Sequence, residues 1–246
     1  MHKTTLLKAT KERSFLKMKK VAVDYRKLRF NNISSDEFCH LKLLLFWPVF
    51  GLLFLFAERF YHVDNYHVMY CAADDIIPFC EWFLIPYLFW FIYIIGMHIY
   101  TLLYDVEAFR RMMKYIIITH TITIIIYFLF PTCQQLRPEQ FIRDNILTRF
   151  MSDFYRFDTN TNVCPSLHVI GSLAVMEAAL WSEKIKSKGV KAAFVVTAIL
   201  ICASTVFLKQ HSVLDLVAAV PVCFLAHTVC YKKTHKAQHA DKAAVQ

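Results

Sequence analysis

Residues 82–103 read WFLIPYLFWFIYIIGMHIYTLL and contain no Asp, Glu, Lys or Arg. A helix needs roughly 20 mostly apolar residues to cross the hydrocarbon core of a bilayer, and this stretch has that length. Five further apolar blocks lie at residues 41–57, 115–131, 166–181, 190–208 and 212–230. Open strands cannot satisfy their backbone groups in lipid, and the alternation typical of a membrane β-barrel is not evident. The sequence therefore predicts an all-α, polytopic membrane helical bundle with about six transmembrane helices.

The overall composition supports a membrane protein. Hydrophobic residues make up 57% of the chain and charged residues only 19%, too few charges to cover the surface of a soluble domain of 246 residues. The first forty residues are rich in Lys and Arg and lack the apolar core of a signal peptide. We expect three segments, a basic N-terminal tail (1–40), a six-span membrane domain (41–231) and a polar C-terminal tail (232–246).

The basic residues predict the orientation of the bundle. They concentrate before the first span, between spans two and three, between spans four and five, and after span six, while the loop 58–81 is mainly acidic. By the positive-inside rule, the four basic segments face the cytoplasm. We expect a multi-pass protein of the cell membrane with both termini in the cytoplasm, although an internal membrane fits the sequence too. The net charge of +9 is explained by topology, so no nucleic-acid partner is expected.

Cysteines lie in both compartments of this topology. Four of them fall on the predicted outer side, where disulfides can form: Cys71, Cys80, Cys133 and Cys164. A disulfide and free thiols are equally compatible with the sequence.

Candidate functional residues concentrate on the predicted outer side, in two clusters. The polar loop 132–165 carries Arg137 and ends in Cys-Pro-Ser-Leu-His, residues 164–168, at the start of the fourth span. Pro165 suits the start of a helix, and a helix N-terminus favours an anion. The second cluster runs from Ser204 to Asp215, between spans five and six.

The second cluster contains a candidate catalytic pair. His211 and Asp215 are four residues apart and would share a face if the stretch is helical, so the carboxylate could orient the imidazole. Together with His168 and the nearby basic residues, the pair suits nucleophilic or acid–base chemistry on a phosphate. Two alternatives remain open, a zinc site built from the two His and the Asp, and structural His residues at the membrane boundary.

These residues resemble the type 2 phosphatidic acid phosphatase (PAP2) superfamily, which includes the vanadium haloperoxidases. The family pattern is Lys, six residues, Arg-Pro; then Pro-Ser-Gly-His; then Ser-Arg, five residues, His, three residues, Asp. Its parts correspond here to Arg137-Pro138, to Pro165-Ser166-Leu167-His168, and to Ser204-Thr205 followed by His211 and Asp215. The resemblance covers about residues 85–230 and implies a haloperoxidase-like helical core.

Three positions depart from the family pattern. The family Lys is Phe130, the Gly is Leu167, and the Arg is Thr205. We hypothesise a compensation in which Lys209, one turn beyond Thr205 on a continued helix, reaches the phosphate. The Pro-Ser-Leu-His motif is also similar to the inositol phosphorylceramide synthase branch, whose members transfer a phosphoryl head group to an alcohol.

The resemblance implies a mechanism that needs no metal and no cofactor. His211 attacks the phosphorus and forms a phosphohistidine, Asp215 orients His211, and His168 protonates the leaving oxygen. The implied phosphate-binding residues are Arg137, Ser166, Ser204 and Lys209. The expected substrate is a lipid phosphate or diphosphate in the membrane, and the expected enzyme is a phosphatase of the PAP2 superfamily.

Two alternatives to a phosphatase are kept. One is a lipid phosphotransferase of the inositol phosphorylceramide synthase kind, and the other is a non-enzymatic relative that binds lipid or a partner protein. The lipid tail, the head group and the oligomeric state do not follow from the sequence. Outside the motifs, His120 and Glu177 are expected to be structural, possible partners of each other, and Gly51 and Gly96 are expected at helix contacts.

Overall fold

Eight α-helices form most of the computed structural model, which describes residues 21–61 and 63–232. In chain order they are α1 Phe46–Arg59, α2 Ala72–Ile76, α3 Leu84–Tyr104, α4 Val106–Leu129, α5 Ile146–Phe157, α6 Leu167–Trp181, α7 Lys188–Phe207 and α8 Val213–Cys230. Short 3₁₀ segments lie at Tyr25–Lys27, Phe30–Asn32, Cys39–Leu45 and Glu81–Phe83. Two parallel two-residue strands, β1 His67–Val68 and β2 Thr132–Cys133, join the loops at one end of the bundle.

Within the part of the chain that the structure describes, five helical segments are long and apolar enough to cross a membrane, and the chain is a multi-pass membrane protein. They are Cys39–Arg59, Glu81–Tyr104, Val106–Leu129, Lys188–Phe207 and Val213–Cys230. Their outward faces expose large apolar side chains such as Leu52, Ile92 and Phe224, each more than 60% exposed, as expected of a surface that contacts lipid. The predicted all-α bundle is confirmed.

The fourth predicted span, α6, is shorter than these five segments. Its 15 residues rise about 22 Å, less than the hydrocarbon thickness of about 30 Å. It packs against α4, α7 and α8, and Ile170, Ala174 and Ala179 are fully buried. Protein surrounds this helix, so its short length does not leave backbone groups facing lipid.

The boundary of the third span differs from the prediction. Helix α4 begins at Val106, nine residues before the predicted start, because Asp105 accepts a hydrogen bond from the Ala108 N–H (3.2 Å) and caps it. Arg110, Arg111 and Lys114 therefore lie on the helix rather than in a connecting loop. The charged residues lowered the local hydropathy and hid the first two turns.

The described part of the predicted N-terminal tail packs on the end of the bundle opposite the His motifs. The Tyr25 hydroxyl donates to the Leu102 carbonyl (2.7 Å) and contacts His40 Nε2 (2.8 Å). Phe38 is buried, and the Ala22 N–H donates to the Leu103 carbonyl. Residues 1–20 and 233–246 of the predicted tails lie outside the described residues.

The loops between α1 and α3, between α4 and α6, and between α7 and α8 meet at the other end, which we call the site end. The loop 132–165 contains an unpredicted amphipathic helix, α5, capped by the Asn145 side chain. Its Met151 is buried against Leu84, Tyr87 and Leu208. All eight cysteines lie in the described part of the chain and all are free.

Candidate active site

His211 and Asp215 are in contact at the site end. His211 Nδ1 donates to Asp215 Oδ2 at 3.0 Å, and the same oxygen accepts the Ser212 N–H at 3.0 Å. The expected contact between the two side chains is present. The helical backbone expected for residues 211–215 is wrong. Helix α7 ends at Phe207 and α8 begins at Val213, so a capping turn, not a shared helical face, brings the two side chains together. The Ser212 hydroxyl completes the cap by accepting the Leu214 N–H.

The first turn of α6 places His168 beside this pair. The two imidazole centroids are 5.8 Å apart. Aromatic rings from α3 flank His168, with Tyr87 stacked at 4.5 Å and Trp90 at 4.6 Å. Because Nδ1 of His211 is held by Asp215, Nε2 is the nitrogen left for chemistry.

The two motifs are tied by backbone bonds as well as by proximity. The Ser166 N–H donates to the Asp215 carbonyl (3.1 Å), so the N-terminus of α6 is attached to the first turn of α8. The Tyr127 hydroxyl donates to the Pro165 carbonyl (2.9 Å) and holds the chain entering α6. These bonds fix His168 and His211 relative to each other.

A small pocket of about 70 Å³, room for a few water molecules, opens between the two imidazoles and the loop after α5. Apart from His168 and His211, its polar lining comes from Glu58, Tyr87, Tyr127, Asp158, Thr159, Thr161, Asn162 and Gln210. Among the described residues that line it there is no Lys or Arg. Residues 21–61 and 63–232 contain no group of three His, Cys, Asp or Glu arranged to hold a metal ion.

Arg137 is next to this pocket, but its guanidinium is engaged by the protein. It donates to the carbonyl oxygens of Tyr155, Asp158 and Thr159 at 2.8–3.0 Å and to Gln210 Oε1 at 2.7 Å. Its Nη2 also lies 3.4 Å from Asp158 Oδ2. Burial lowers the pKa of Arg137, and an arginine remains charged even so. Arg137 therefore fixes the loop after α5 to the residue that precedes His211.

A family model described as the PAP2 superfamily matches residues 111–239, just over half of the chain. The chain belongs to the PAP2 superfamily. No curated protein and no solved structure shows a significant match to it.

Two basic positions of the PAP2 pattern hold neutral side chains in this member. Phe130, at the position of the family Lys, stacks on His67 with 3.9 Å between ring centroids. Thr205, at the position of the family Arg, is fully buried and its hydroxyl donates to the Cys202 carbonyl of its own helix (2.8 Å). Neither position supplies a positive charge.

The proposed compensation by Lys209 is wrong in its premise. The helix does not continue past Phe207, and Lys209 adopts a left-handed backbone conformation with φ of 52°. Its amino group donates to the carbonyl oxygens of Asp74 (2.6 Å) and Ile77 (2.5 Å). Lys209 therefore ties the α7–α8 turn to α2 and does not line the pocket.

The two serines predicted to bind phosphate hold the backbone instead. Ser166 is fully buried and its hydroxyl accepts the Val169 N–H at 3.5 Å, which caps α6. Ser204 is fully buried and its hydroxyl donates to the Ile201 carbonyl at 2.6 Å. Neither hydroxyl lines the pocket.

Asp74 supports the His211 turn and was missed in the sequence. This buried side chain comes from α2 and accepts hydrogen bonds from the Ser212 hydroxyl (2.6 Å), the Val213 N–H (2.8 Å) and the Cys71 N–H (2.8 Å). Burial acts to raise its pKa, but these hydrogen bonds outweigh burial and lower it. Asp74 thus stays ionised and fixes the start of α8.

Other ionisable residues in the helices lie away from the pocket. Glu177 pairs with His227 at 3.2 Å rather than with His120. His120 lies among aromatic rings, with its centroid 4.8 Å from that of Phe50. Neither residue lines the pocket that contains the catalytic candidates.

Proposed function

We propose that this PAP2 member is a lipid phosphate or diphosphate phosphatase that acts through a phosphohistidine on His211. The observation that supports it most is the His211–Asp215 bond of 3.0 Å, with His168 beside it in one pocket. A carboxylate that holds Nδ1–H leaves Nε2 as the nucleophile and stabilises the imidazolium that forms.

In the proposed first step, Nε2 of His211 attacks phosphorus and the bond from phosphorus to the ester oxygen breaks. His168 donates the proton that the leaving oxygen needs. In the second step a water molecule gives its proton to His168 and its oxygen attacks phosphorus. The N–P bond then breaks, and inorganic phosphate leaves. The two steps together return the protein to its starting protonation state.

The transferring phosphoryl group also needs hydrogen-bond donors. The first turn of α6 begins at the pocket through Leu167 and His168, and helix N-termini offer backbone N–H groups to anions. Arg137 does not line the pocket but holds Gln210 and Asp158, which do, and is therefore a positioning residue. The imidazolium that forms on His211 as Nε2 bonds to phosphorus would add positive charge beside the phosphoryl group in the first step.

A phosphate-release assay in detergent with EDTA tests the function. Wild type, His211→Asn and the control His67→Asn would be compared on phosphatidic acid, phosphatidylglycerol phosphate and a polyprenyl diphosphate. His67 is exposed at the site end and does not line the pocket, so its variant should keep the wild-type rate. Release that persists in EDTA and disappears only in His211→Asn is expected. Equal release by both variants would contradict the proposal.

Product analysis separates hydrolysis from transfer to an alcohol. We expect inorganic phosphate as the main product whether or not an added alcohol such as inositol is present. Formation of a phosphorylated alcohol in its place would identify the chain as a phosphotransferase.

We also propose that the site end faces the non-cytoplasmic side of the cell membrane, with both termini in the cytoplasm. The basic residues Arg110, Lys114 and Lys184 lie at the end opposite the site, which the positive-inside rule assigns to the cytoplasm. Single cysteines introduced at Glu139 and Lys186 in a cysteine-free background test this orientation. A membrane-impermeant thiol reagent on intact cells should label only the first, and labelling of only the second would reverse the topology.

A further inference from the structure

A groove lined by two lysines opens at the end of the bundle opposite the active site. It lies between the last turns of α3, the loop 182–187 and the first turns of α7, and its volume is about 350 Å³. Ligand sites typically have volumes of roughly 300–1,000 Å³. The side chains that line this space, which we call the basic groove, include Tyr100, Lys184, Ile185, Lys186, Val190 and Phe194. None of them contributes to the pocket at His211.

The two lysines give the basic groove a positive charge that the protein does not neutralise. Lys184 and Lys186 are exposed, and neither forms an ion pair within residues 21–61 and 63–232. Glu183, the acid between Ser182 and Lys184, does not line the groove. Asp105, at the start of α4, accepts the Ser182 hydroxyl at 2.5 Å instead of pairing with a lysine. The basic groove therefore favours an anion.

The loop that carries the lysines is fixed by hydrogen bonds and by burial. The Ser182 hydroxyl accepts the N–H groups of Lys184 (3.2 Å) and Ile185 (3.3 Å) while it donates to Asp105. The Ile185 side chain is buried in the main core. Because the loop is held on both sides of Lys184, little ordering of the backbone is needed when a ligand binds, which reduces the entropic cost of binding.

The first turn of α7 lies at the edge of the basic groove and adds hydrogen-bond donors. Ser187 lines the groove and caps α7 by accepting the Val190 N–H at 3.3 Å. The other N–H groups of a first turn have no acceptor within their own helix and favour an anion. They complement the two lysine ammonium groups.

The remainder of the basic groove is apolar and opens towards lipid. Helices α3 and α7 both belong to segments that are long and apolar enough to cross a membrane. Val190 is 45% exposed on the outer face of α7, and Phe194 lies about 9 Å further along the helix than Lys188. Tyr100, one turn before the end of α3, has the position typical of an aromatic residue at the membrane boundary. The groove thus combines lysines at its aqueous end with apolar side chains at membrane depth.

We propose that the basic groove binds an anionic phospholipid, with the phosphate between Lys184 and Lys186 and an acyl chain against Val190 and Phe194. The proposed orientation of the protein places this lipid in the cytoplasmic leaflet, where basic pockets between spans bind anionic head groups. A soluble anion would leave the apolar wall uncovered, and a zwitterionic lipid would bring no net charge to the two lysines. This lipid site is separate from the active site and does not depend on the proposed phosphatase function.

Thermal unfolding in detergent, titrated with phosphatidylglycerol or with phosphatidylcholine of the same acyl chains, tests the lipid site. Phosphatidylglycerol is a phosphodiester, so the proposed hydrolysis of monoesters and diphosphates would not consume it. We expect phosphatidylglycerol to raise the Tm of wild type more than phosphatidylcholine does at equal concentration. Equal stabilisation by the two lipids would overturn the proposal.

A double variant and its matched control measure the contribution of the two lysines. Lys184→Gln/Lys186→Gln should weaken the apparent affinity for phosphatidylglycerol about 25-fold, since each lysine near an anionic head group contributes about fivefold. Lys42→Gln/Lys114→Gln removes two exposed lysines from the same end of the bundle that do not line the groove. This control should bind as wild type does. Equal weakening in both double variants would indicate general attraction to a positive surface and overturn the site.

Two further measurements decide the proposal even if the lysine variant does not fold. Val190→Trp keeps both lysines and fills the groove with a larger ring at an exposed position, so it should abolish the extra stabilisation by phosphatidylglycerol. Retention of that stabilisation would show that the lipid does not occupy the groove. The soluble ester sn-glycerol 3-phosphate should not stabilise wild type at the same concentration, and stabilisation equal to that by phosphatidylglycerol would overturn the assignment to a lipid. All readouts are unfolding temperatures, so absence of phosphate release would count against the phosphatase alone.

Discussion

Replacement of Gly171 by alanine should disturb the packing of the Trp90 ring on His168. A Cβ at this position would lie 2.7 Å from Ile94 Cδ1 and 3.1 Å from two atoms of the Trp90 ring, whereas carbon atoms in contact prefer about 3.5–4.0 Å. Trp90 packs on His168 with 4.6 Å between centroids. Because its rigid ring must shift, the position of His168 should change with it.

Two opposing effects determine how much Gly171→Ala changes the free energy of unfolding. Overpacking a core typically costs about 1–3 kcal/mol, and replacing a helical Gly by Ala returns roughly 0.5–1 kcal/mol. We expect Gly171→Ala to be destabilised by about 1 kcal/mol net and to lose about tenfold in kcat/KM for phosphate release. Gly96→Ala is the matched control, because a Cβ there meets nothing within 4 Å, so it should be fully active and no less stable than wild type.

Thermal unfolding in detergent, read beside the phosphate-release assay, would measure both effects. The expected order of stability is Gly96→Ala at or above wild type, and Gly171→Ala below it. If Gly171→Ala were as stable and as active as Gly96→Ala, the close approach of α6 to α3 would not be what positions His168.

Three further variants probe the supports of His211. Asp74→Asn should lower the free energy of unfolding by about 1–3 kcal/mol, since it weakens the cap at Ser212. The lowered pKa of Asp74 means that its stabilisation is present above about pH 4 and is lost as pH falls through its folded pKa, so melting curves of the variant should lose that acid dependence. Asp215→Asn should lower kcat about 100-fold or more through the wrong imidazole tautomer, with KM little changed. Arg137→Lys should lower kcat/KM about tenfold, because lysine cannot reproduce the several hydrogen bonds of the planar guanidinium. Arg149 lies in an exposed ion pair, so the control Arg149→Lys should leave kcat/KM unchanged.

The spans could be predicted because each depends on local composition alone. Residues 82–103 fall within the helical segment Glu81–Tyr104, and residues 190–208 correspond to α7. The start of α4 could not be found in this way, since its first turns carry Arg110 and Arg111 and are stabilised by the Asp105 cap. Helix α5 had a recognisable signal in its Asn145 cap and apolar spacing, but its low hydropathy hid it in a search for spans.

The identity of the candidate catalytic residues could be predicted from the sequence, but the backbone that positions them could not. His168, His211 and Asp215 stand in recognisable motifs, and the structure brings them together. The backbone of the α7–α8 turn was not predictable, because a left-handed residue at Lys209 depends on its bonds to α2, more than 130 residues earlier in the chain. A spacing of four residues could not distinguish a helix from a capping turn.

Residues that act over long sequence separations had no signal of their own. Asp74 contacts Ser212 across 138 residues, and Glu58 contacts Asn162 across 104. Glycines illustrate the same limit. Gly51 and Gly96 were expected at helix contacts but have open space around them, while Gly171 is the position at which two helices meet closely. Which glycine is needed depends on the neighbouring helix, which composition does not reveal.

The most direct test of the central claim is to trap the covalent intermediate on His211. A lipid phosphate labelled with ³²P would be mixed with the protein and quenched in alkali within the first turnover, and labelled peptides would be identified by mass spectrometry. We predict acid-labile label on the peptide that contains His211, and none in His211→Asn. A burst of inorganic phosphate with no labelled protein, or label on His168 instead, would contradict the assignment of His211 as the nucleophile.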